Sequence, residues 1–280
     1  MKAEITTHLT YAVDSPSTIL LSVQPFPTQR QKVIQEHFTL PPDTEREELR
    51  AVAGEKRISR LQVVTPGTVT FSYNVLVENH LTVLPAEQLN HVPIAEMPAS
   101  VLPYLNPSRY CQSDRLYRLA ASQFGHLEHA FEQVMAVRDW IHSHVEYSGG
   151  YTTPHTSALD TLTERVGVCR DFAHLGVTLC RALTIPARYC TGYAYRLQPA
   201  DFHACFEVYL GGHWVLFDAT KLVPLNGLVK IATGVDAAET AVASTFGQLQ
   251  FQELAVDFHL LDPDFTPVDG SSPTHGYCLQ

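Results

Sequence analysis

Polar and apolar residues alternate along the first part of the chain, and the alternation is clearest between residues 68 and 77. The apolar positions there are Val69, Phe71, Tyr73, Val75 and Val77. A period of two predicts a strand with one buried face. Segments 5–13, 17–23 and 32–40 are further candidate strands, and turn signals separate them. We therefore expect residues 1–85 to form an antiparallel β-sandwich domain.

Residues 86–108 form a connecting segment that is rich in proline. Proline lacks a backbone N–H, so a high density of it works against regular helices and strands. The prolines within or next to the segment are Pro85, Pro93, Pro98, Pro103 and Pro107. This segment predicts a boundary between the N-terminal domain and a second domain at residues 109–280.

The hydrophobic period changes in the second half of the chain. Apolar residues between 131 and 145 fall on one helical face, which predicts a helix. A second helix is expected to begin near Cys169 and to end before Pro186. Strand-forming segments follow between residues 188 and 217, and Gly211-Gly212 suits a two-residue hairpin turn. The second domain is therefore predicted to be α+β, with helices packed on an antiparallel sheet.

Composition narrows the class of protein. The chain has 280 residues, 45% of them hydrophobic, and a formal net charge of −10 without any block of Lys and Arg, so nucleic acid is not an expected partner. No apolar run approaches the length of a membrane span, and the polar opening residues do not resemble a signal peptide. We expect a cytoplasmic protein whose six cysteines are reduced thiols.

Cys169 is the first candidate for chemistry because it stands at the start of a predicted helix. Unpaired backbone N–H groups and the helix dipole favour a negative charge there, which raises the fraction of reactive thiolate. The Gly167-Val168 pair lets the chain turn into that helix. The alternative is a buried, inert cysteine, and the position of Cys169 alone does not decide between the two.

A thiolate nucleophile needs a base, and His203 at the head of a predicted strand can supply one. If Gly211-Gly212 forms the turn, paired residues on the two strands follow from it, and Asp218 becomes a diagonal neighbour of His203. Such neighbours are about 7 to 8 Å apart, within reach of an imidazole and a carboxylate. A slip of one residue would place the two side chains on opposite faces.

Structural readings of these residues stay open beside the catalytic one. A histidine at a strand head is commonly a hydrogen-bonded structural residue, and an aspartate after a strand is commonly a turn or cap residue. The spacing of Cys169, His174 and Cys180 gives neither a CxxC pair nor an HExxH helix, so no metal site is predicted. There is no Gly-rich phosphate loop, and no cofactor is expected.

Three segments resemble the core of the transglutaminase-like superfamily: GVCRDFAHL, IPARYCTGY and DFHACFEVYLGGHWVLFDAT, at 167–175, 185–193 and 201–220. The resemblance implies a papain-like cysteine-enzyme core with a catalytic triad at Cys169, His203 and Asp218. The stretch PSRYCQSD at 107–114 and the β-rich N-terminal part also resemble bacterial transglutaminase-like cysteine proteases that carry an N-terminal β domain.

Two positions depart from the pattern of the family. Cys205 stands where relatives commonly have an aromatic residue, and Ala219 stands where many have proline. Neither change removes a member of the triad. We consider the hypothesis that Cys205 acts as a redox partner of Cys169.

The expected chemistry is attack of the Cys169 thiolate on a carboxamide or peptide carbonyl to form a thioester. The backbone N–H of Cys169 is a candidate oxyanion donor, and Tyr147 is a candidate for the second donor. With water as acceptor the protein is a peptidase or amidase, which we favour slightly, and with an amine it is a transglutaminase. A non-catalytic binding module is the third alternative. The expected partner is a peptide or protein substrate, and neither a metal nor a membrane is expected to take part.

Overall fold

The computed structural model describes residues 1–50 and 55–279, and within these ranges the chain forms four α-helices and sixteen β-strands. The helices are α1 (Tyr117–Phe124), α2 (Ala130–His144), α3 (Ala158–Glu164) and α4 (Cys169–Ala182). The strands of the N-terminal half are β1 (Lys2–Val13), β2 (Ser17–Leu21), β3 (Gln31–Thr39), β4 (Thr44–Arg50), β5 (Arg57–Val63), β6 (Gly67–Asn79) and β7 (Thr82–Pro85). The later strands are β8 (Glu146–Tyr147), β9 (Val166–Gly167), β10 (Ala187–Ala194), β11 (Phe202–Leu210), β12 (His213–Phe217), β13 (Leu228–Gly234), β14 (Ala243–Phe246), β15 (Leu249–Leu260) and β16 (His275–Cys278).

Two four-stranded antiparallel sheets build the N-terminal sandwich, with strand orders β15-β1-β6-β3 and β14-β2-β5-β4. The period-two prediction for β6 is confirmed, because its alternate apolar residues from Val69 to Val77 are all buried. They share one hydrophobic core with the inward residues of β1, β2 and β5. The predicted sandwich is therefore present, and burial of the alternate positions holds its two sheets together.

Two strands of this sandwich come from the far end of the chain. β14 pairs with β2, and β15 pairs with β1 over its whole length apart from one irregularity. The predicted second domain, 109–280, includes residues 243–260, yet the sheet partners of β14 and β15 lie within residues 1–85. The limits 1–85, 86–108 and 109–280 stay a prediction, and β14 and β15 cross the proposed division.

The proline-rich connector contains only short 3₁₀ turns, at 86–88, 94–96 and 102–105. The connector is packed against the second domain, because the ring of Tyr104 contacts Trp214 edge-on with 5.2 Å between ring centroids. Proline density thus excludes regular structure, as expected, while aromatic packing fixes the segment to the second sheet.

The second sheet has the strand order β12-β11-β10-β13 and is entirely antiparallel. Helix α4 packs across β10 and β11, and Gly176 allows the close approach: a Cβ there would lie 2.6 Å from the ring of Phe206. Helix α2 joins the same core through Phe131, Val134 and Ile141. The chain is therefore an α+β protein, as predicted from the change in period.

The sandwich and the second sheet share buried contacts. The hydroxyl of Thr7 donates to Tyr193 in β10 at 3.0 Å, and the Tyr193 hydroxyl donates to the carbonyl of Val23 at 2.7 Å. Val229 and Ile231 of β13 belong to the core of the sandwich. The longest helix of the described ranges has 15 residues, and none of their helices has the length and apolar character needed to cross a membrane.

Candidate active site

Helix α4 begins at Cys169, and the carboxylate of Asp171 stabilises this start. The backbone N–H of Val168 donates to Asp171 at 2.9 Å, and the hydroxyl of Thr152 donates to the same carboxylate oxygen. Gly167 is needed beside them, because a Cβ there would lie 2.7 Å from the Cβ of Asp171. Asp171 is fully buried and was not among the predicted site residues. The capping role of Asp171 was hard to predict from the sequence, because Val168 stands where a capping box has Ser or Thr.

Cys169 differs from the other five cysteines in exposure. It is half-buried, whereas the others are buried, and no cysteine is in a disulfide. Burial raises the pKa of Cys111 to about 11 and that of Cys278 to about 12, and it raises the pKa of Cys180 further. Those thiols stay protonated at neutral pH, so Cys169 is the cysteine best placed to react.

The hairpin of β11 and β12 has the predicted register. Leu210 pairs with His213, and the ladder continues to Phe206 and Phe217. Gly211 and Gly212 have φ values of +55° and +87°, a left-handed conformation that glycine adopts without strain. The prediction of a two-residue turn is therefore confirmed.

This register brings His203 and Asp218 into contact beyond the end of the ladder. The Nε2 atom of His203 lies 2.9 Å from Oδ2 of Asp218, and both side chains are buried. The other carboxylate oxygen, Oδ1, accepts hydrogen bonds from the backbone N–H and the hydroxyl of Thr220, at 2.9 and 2.8 Å. The carboxylate is thus held in one orientation, with one oxygen directed at the imidazole.

The pair favours its charged form. Burial alone would lower the pKa of His203, but the Asp218 carboxylate and the nearby Cys169 sulfur raise it to about 10. Burial would raise the pKa of Asp218, but His203 and the hydrogen bonds from Thr220 hold it below its ordinary value. At neutral pH the ring is therefore an imidazolium beside a carboxylate.

The two ring nitrogens of His203 have different surroundings. Nε2 faces Asp218, while Nδ1 makes no hydrogen bond within the residues that the structure describes. Because Cys169 is close enough to raise the pKa of this ring, Nδ1 is the nitrogen left to exchange a proton with its sulfur. Sequence reasoning brought the three residues together but did not distinguish the nitrogens.

Tyr147 lies beside the same sulfur. It is on β8, which pairs in parallel with β9, so that Tyr147 stands opposite Gly167. Burial raises the pKa of its hydroxyl to about 12, and the neighbouring Cys169 adds to this increase. The hydroxyl therefore stays protonated and can donate a hydrogen bond next to the nucleophile.

A cleft of about 450 Å³ contains both Cys169 and His203. Its lining also includes Tyr110, Pro154, Arg170 and residues 237–238 and 240–244. A cleft of this size can hold a small molecule or part of a larger one beside the two residues.

His174 supports two residues that line the cleft, Tyr110 and Ala237. Its ring stacks on Tyr110 with 4.9 Å between centroids, and its Nε2 accepts the backbone N–H of Ala237 at 3.1 Å. Burial keeps its pKa well below the ordinary value, so the ring is neutral. Within residues 1–50 and 55–279, no three His, Cys, Asp or Glu side chains are grouped to hold a metal ion.

The redox hypothesis pairs Cys205 with Cys169, but the cysteine next to Cys205 on the adjacent strand is Cys190. It stands directly opposite Cys190 in the β10–β11 ladder, and the hydrogen bond to Cys190 together with burial raises its pKa well above the ordinary value. The sulfur that faces it in the described residues is that of Cys190. The hypothesis of a redox pair between Cys205 and Cys169 gains no support from this arrangement.

Comparison with known proteins adds two family matches. Residues 117–219 match the transglutaminase-like superfamily, and residues 1–100 match the bacterial transglutaminase N-terminal domain. A solved structure of a "putative cysteine protease" from Cytophaga hutchinsonii is 48% identical, with a TM-score of 0.96, and the match covers 100% of this chain and 98% of that one.

Curated relatives are similar over shorter stretches. An uncharacterised protein of Mycobacterium leprae is 33% identical in an alignment of 117 residues, which covers 39% of this chain and 42% of the relative. A second, from Mycobacterium tuberculosis, is 34% identical over 89 residues, or 32% of this chain and 28% of the relative. The matches thus span less than half the length of these relatives.

Proposed function

The chain belongs to the transglutaminase-like superfamily, and we propose that Cys169, His203 and Asp218 are a catalytic triad that cleaves amide bonds through a thioester. The observation that carries the proposal is that one cleft contains both Cys169, at a helix start, and His203, which is hydrogen-bonded to Asp218. A thiolate paired with an imidazolium is both a strong nucleophile and a ready proton donor.

In the first step, the Cys169 sulfur attacks the carbonyl carbon and a C–S bond forms. The backbone N–H of Cys169 and the hydroxyl of Tyr147 are the proposed donors to the developing oxyanion. The C–N bond then breaks, and the proton on Nδ1 of His203 passes to the departing nitrogen. This leaves a thioester, a neutral imidazole and a free amine or ammonia.

In the second step, His203 acts as the base. The acylated sulfur no longer carries a negative charge, so one of the causes that raised the pKa of His203 is gone. The neutral ring removes a proton from water, hydroxide oxygen attacks the thioester, and collapse releases a carboxylic acid and restores Cys169. Asp218 holds the ring in the tautomer that both steps need.

Water is the acceptor that we favour over an amine. The 48% identical protein from Cytophaga hutchinsonii is named a "putative cysteine protease", which supports hydrolysis. A glutamine-containing peptide incubated with the protein and a primary amine distinguishes the reactions by mass spectrometry. A gain of about 1 Da at glutamine, with release of ammonia, supports hydrolysis. Formation of the amine adduct alone would make the protein a transglutaminase.

A non-catalytic binding module is the remaining alternative, and iodoacetamide tests it. We expect Cys169 to be alkylated at neutral pH on the order of 100-fold faster than the five buried thiols. Cys169→Ala should abolish the fast phase, whereas the matched control Cys278→Ala should retain it. Equal, slow labelling of all six cysteines would favour the binding module.

A further inference from the structure

Strand β14 is an edge strand of one of the two sandwich sheets. In the order β14-β2-β5-β4 it pairs only with β2, so among the described residues its outer edge has no strand partner. Ala243 and Ser244 of this strand line the cleft that contains Cys169, together with Ala241 and Val242 directly before it. A free sheet edge from the N-terminal sandwich is thus part of the candidate active site.

Backbone geometry identifies the groups that face outward. The N–H of Ser22 donates to the carbonyl of Val242 at 2.7 Å, so the polar groups of Val242 point toward β2. In an antiparallel ladder, successive residues direct these groups to opposite sides. The N–H and C=O groups of Ala241, Ala243 and Thr245 therefore point away from β2, and the first two of these residues line the cleft.

The β14 edge also lacks the features that protect other edges of the sandwich. The edge strand β3 contains Lys32 and Glu36, β4 contains four charged residues between 45 and 48, and β15 contains Glu253 and Asp257. In contrast, β14 reads ASTF, with no charge and no proline. Charges and proline are the usual means of preventing unwanted strand pairing, so their absence here indicates an edge that accepts a partner.

Side chains along this wall are small, which leaves room for a second backbone. Ala237, Ala238, Ala241 and Ala243 line the cleft, while the exposed ring of Phe246 stands at the far end of the strand, 57% accessible. Small residues let a guest strand approach to hydrogen-bonding distance, and an apolar ring can contact a guest side chain.

We propose that the acyl-donor substrate is a polypeptide in extended conformation whose backbone adds as a strand to the outer edge of β14, beside Cys169. The proposal rests on the acyl-transfer function given above. We assign the edge to the acyl side of the scissile bond, because that part stays attached to Cys169 through both steps and must be held throughout. Strand addition draws affinity from main-chain hydrogen bonds and therefore tolerates varied side chains.

A chloromethyl ketone series tests this assignment. The probe is acetyl-tetraalanine chloromethyl ketone, which alkylates Cys169 by forming a C–S bond as chloride leaves. Four analogues each carry one N-methylated amide, which cannot donate a hydrogen bond. We expect methylation at alternate positions to slow alkylation at least about fivefold, and methylation between them to have less than about a twofold effect.

An edge variant gives a second measurement. Ala243→Pro removes an outward N–H and spares the pairing with β2, whereas Ala243→Ser keeps the N–H with a side chain of similar size. We expect the period-two pattern to be lost in Ala243→Pro and kept in Ala243→Ser, with circular dichroism reporting the fold of each. If Ala243→Pro does not fold, the methylation series on the unchanged protein still decides.

Iodoacetamide separates the two proposals. Slow labelling of Cys169 by iodoacetamide would overturn the proposed function itself. Fast labelling by iodoacetamide with equal rates for all four methylated probes would leave the triad standing and overturn strand addition. A dimer in size-exclusion chromatography that Ala243→Pro dissociates would assign the edge to a second copy of the chain, and would also overturn the proposal.

Discussion

His203 and Asp218 are joined by a 2.9 Å contact between Nε2 and Oδ2, and two hydrogen bonds from Thr220 fix the opposite carboxylate oxygen. An asparagine at this position would keep its carbonyl oxygen toward the Thr220 donors and turn its NH₂ toward Nε2. The neutral ring would then carry its proton on Nδ1, where it cannot accept one from Cys169. The exchange of one oxygen for NH₂ thus reverses the tautomer.

We therefore predict that Asp218→Asn folds normally but lowers the rate of ammonia release from a glutamine peptide by about 10³- to 10⁴-fold, as expected for a triad with the wrong tautomer. Asp257→Asn, on an exposed aspartate of β15, is the matched control and should have no effect. A loss of less than tenfold in Asp218→Asn would mean that the carboxylate does not orient the base.

Tyr147→Phe removes the hydroxyl that lies next to Cys169. If this hydroxyl stabilises the oxyanion, kcat should fall by about 10²- to 10³-fold while KM changes little, because the bond forms only in the transition state. Tyr151→Phe, on a tyrosine that is 70% exposed, provides the control. An increase in KM at constant kcat would instead assign Tyr147 to substrate binding.

The raised pKa of His203 predicts the alkaline limit of activity. The imidazolium must donate a proton to the leaving nitrogen, and this form persists until the pH passes about 10. The rate of amide cleavage should therefore stay high through neutral pH and fall as the pH rises through about 10. A pH profile of kcat/KM for the free enzyme measures this limit. A fall near pH 6.5, the value of an ordinary histidine, would contradict the electrostatic account.

Glu207 forms ion pairs with two buried cations, Arg188 and Lys230. Its carboxylate is fully buried and lies 2.6 Å from Arg188 and 2.8 Å from Lys230. Glu207→Gln should lower the free energy of unfolding by about 3 to 5 kcal/mol, because the buried charges of Arg188 and Lys230 then share one carboxylate. That carboxylate belongs to Glu55, which lies 3.0 Å from Arg188 and 3.2 Å from Lys230. Glu47→Gln removes an exposed pair with Arg60 and should cost at most about 1 kcal/mol. Urea denaturation compares the two, and equal losses would contradict the prediction.

Gly176→Ala tests the packing of α4 on β11. The added methyl group would lie 2.6 Å from the ring of Phe206, which is fully buried, so the ring or the helix would have to shift. We expect the free energy of unfolding to fall by about 1 to 3 kcal/mol. Gly149→Ala is a fitting control, since a Cβ there meets no atom within 4 Å. If both variants unfold at the same urea concentration, the interface between α4 and β11 has room for the extra methyl group, and the prediction is wrong.

Local patterns in the sequence were sufficient for much of the fold. The alternation from Val69 to Val77 predicted a strand because its period depends only on which face is buried. The start of α4 at Cys169 and the turn at Gly211-Gly212 followed from short-range backbone preferences. Once that turn was assigned, the register placed His203 near Asp218 without any knowledge of the rest of the molecule.

Other features depend on contacts between residues that are distant in sequence. β15 pairs with β1 across more than two hundred residues, and no local pattern in either strand specifies the other. The partner of Cys205 and the hydrogen bond between His174 and Ala237 belong to the same class. Their partners are selected by packing of the whole chain, because an unpaired strand or buried polar group is stabilised only by what the fold brings to it.

The sequence alone therefore determined several local elements, among them β6, the start of α4 and the turn at Gly211-Gly212, and the three residues proposed to react. Only the tertiary structure decided which nitrogen of His203 is left for Cys169, and that the edge of β14 lines the cleft. The reason is physical: secondary structure follows from interactions over a few residues, whereas the walls of a cleft follow from surfaces that meet when distant segments pack.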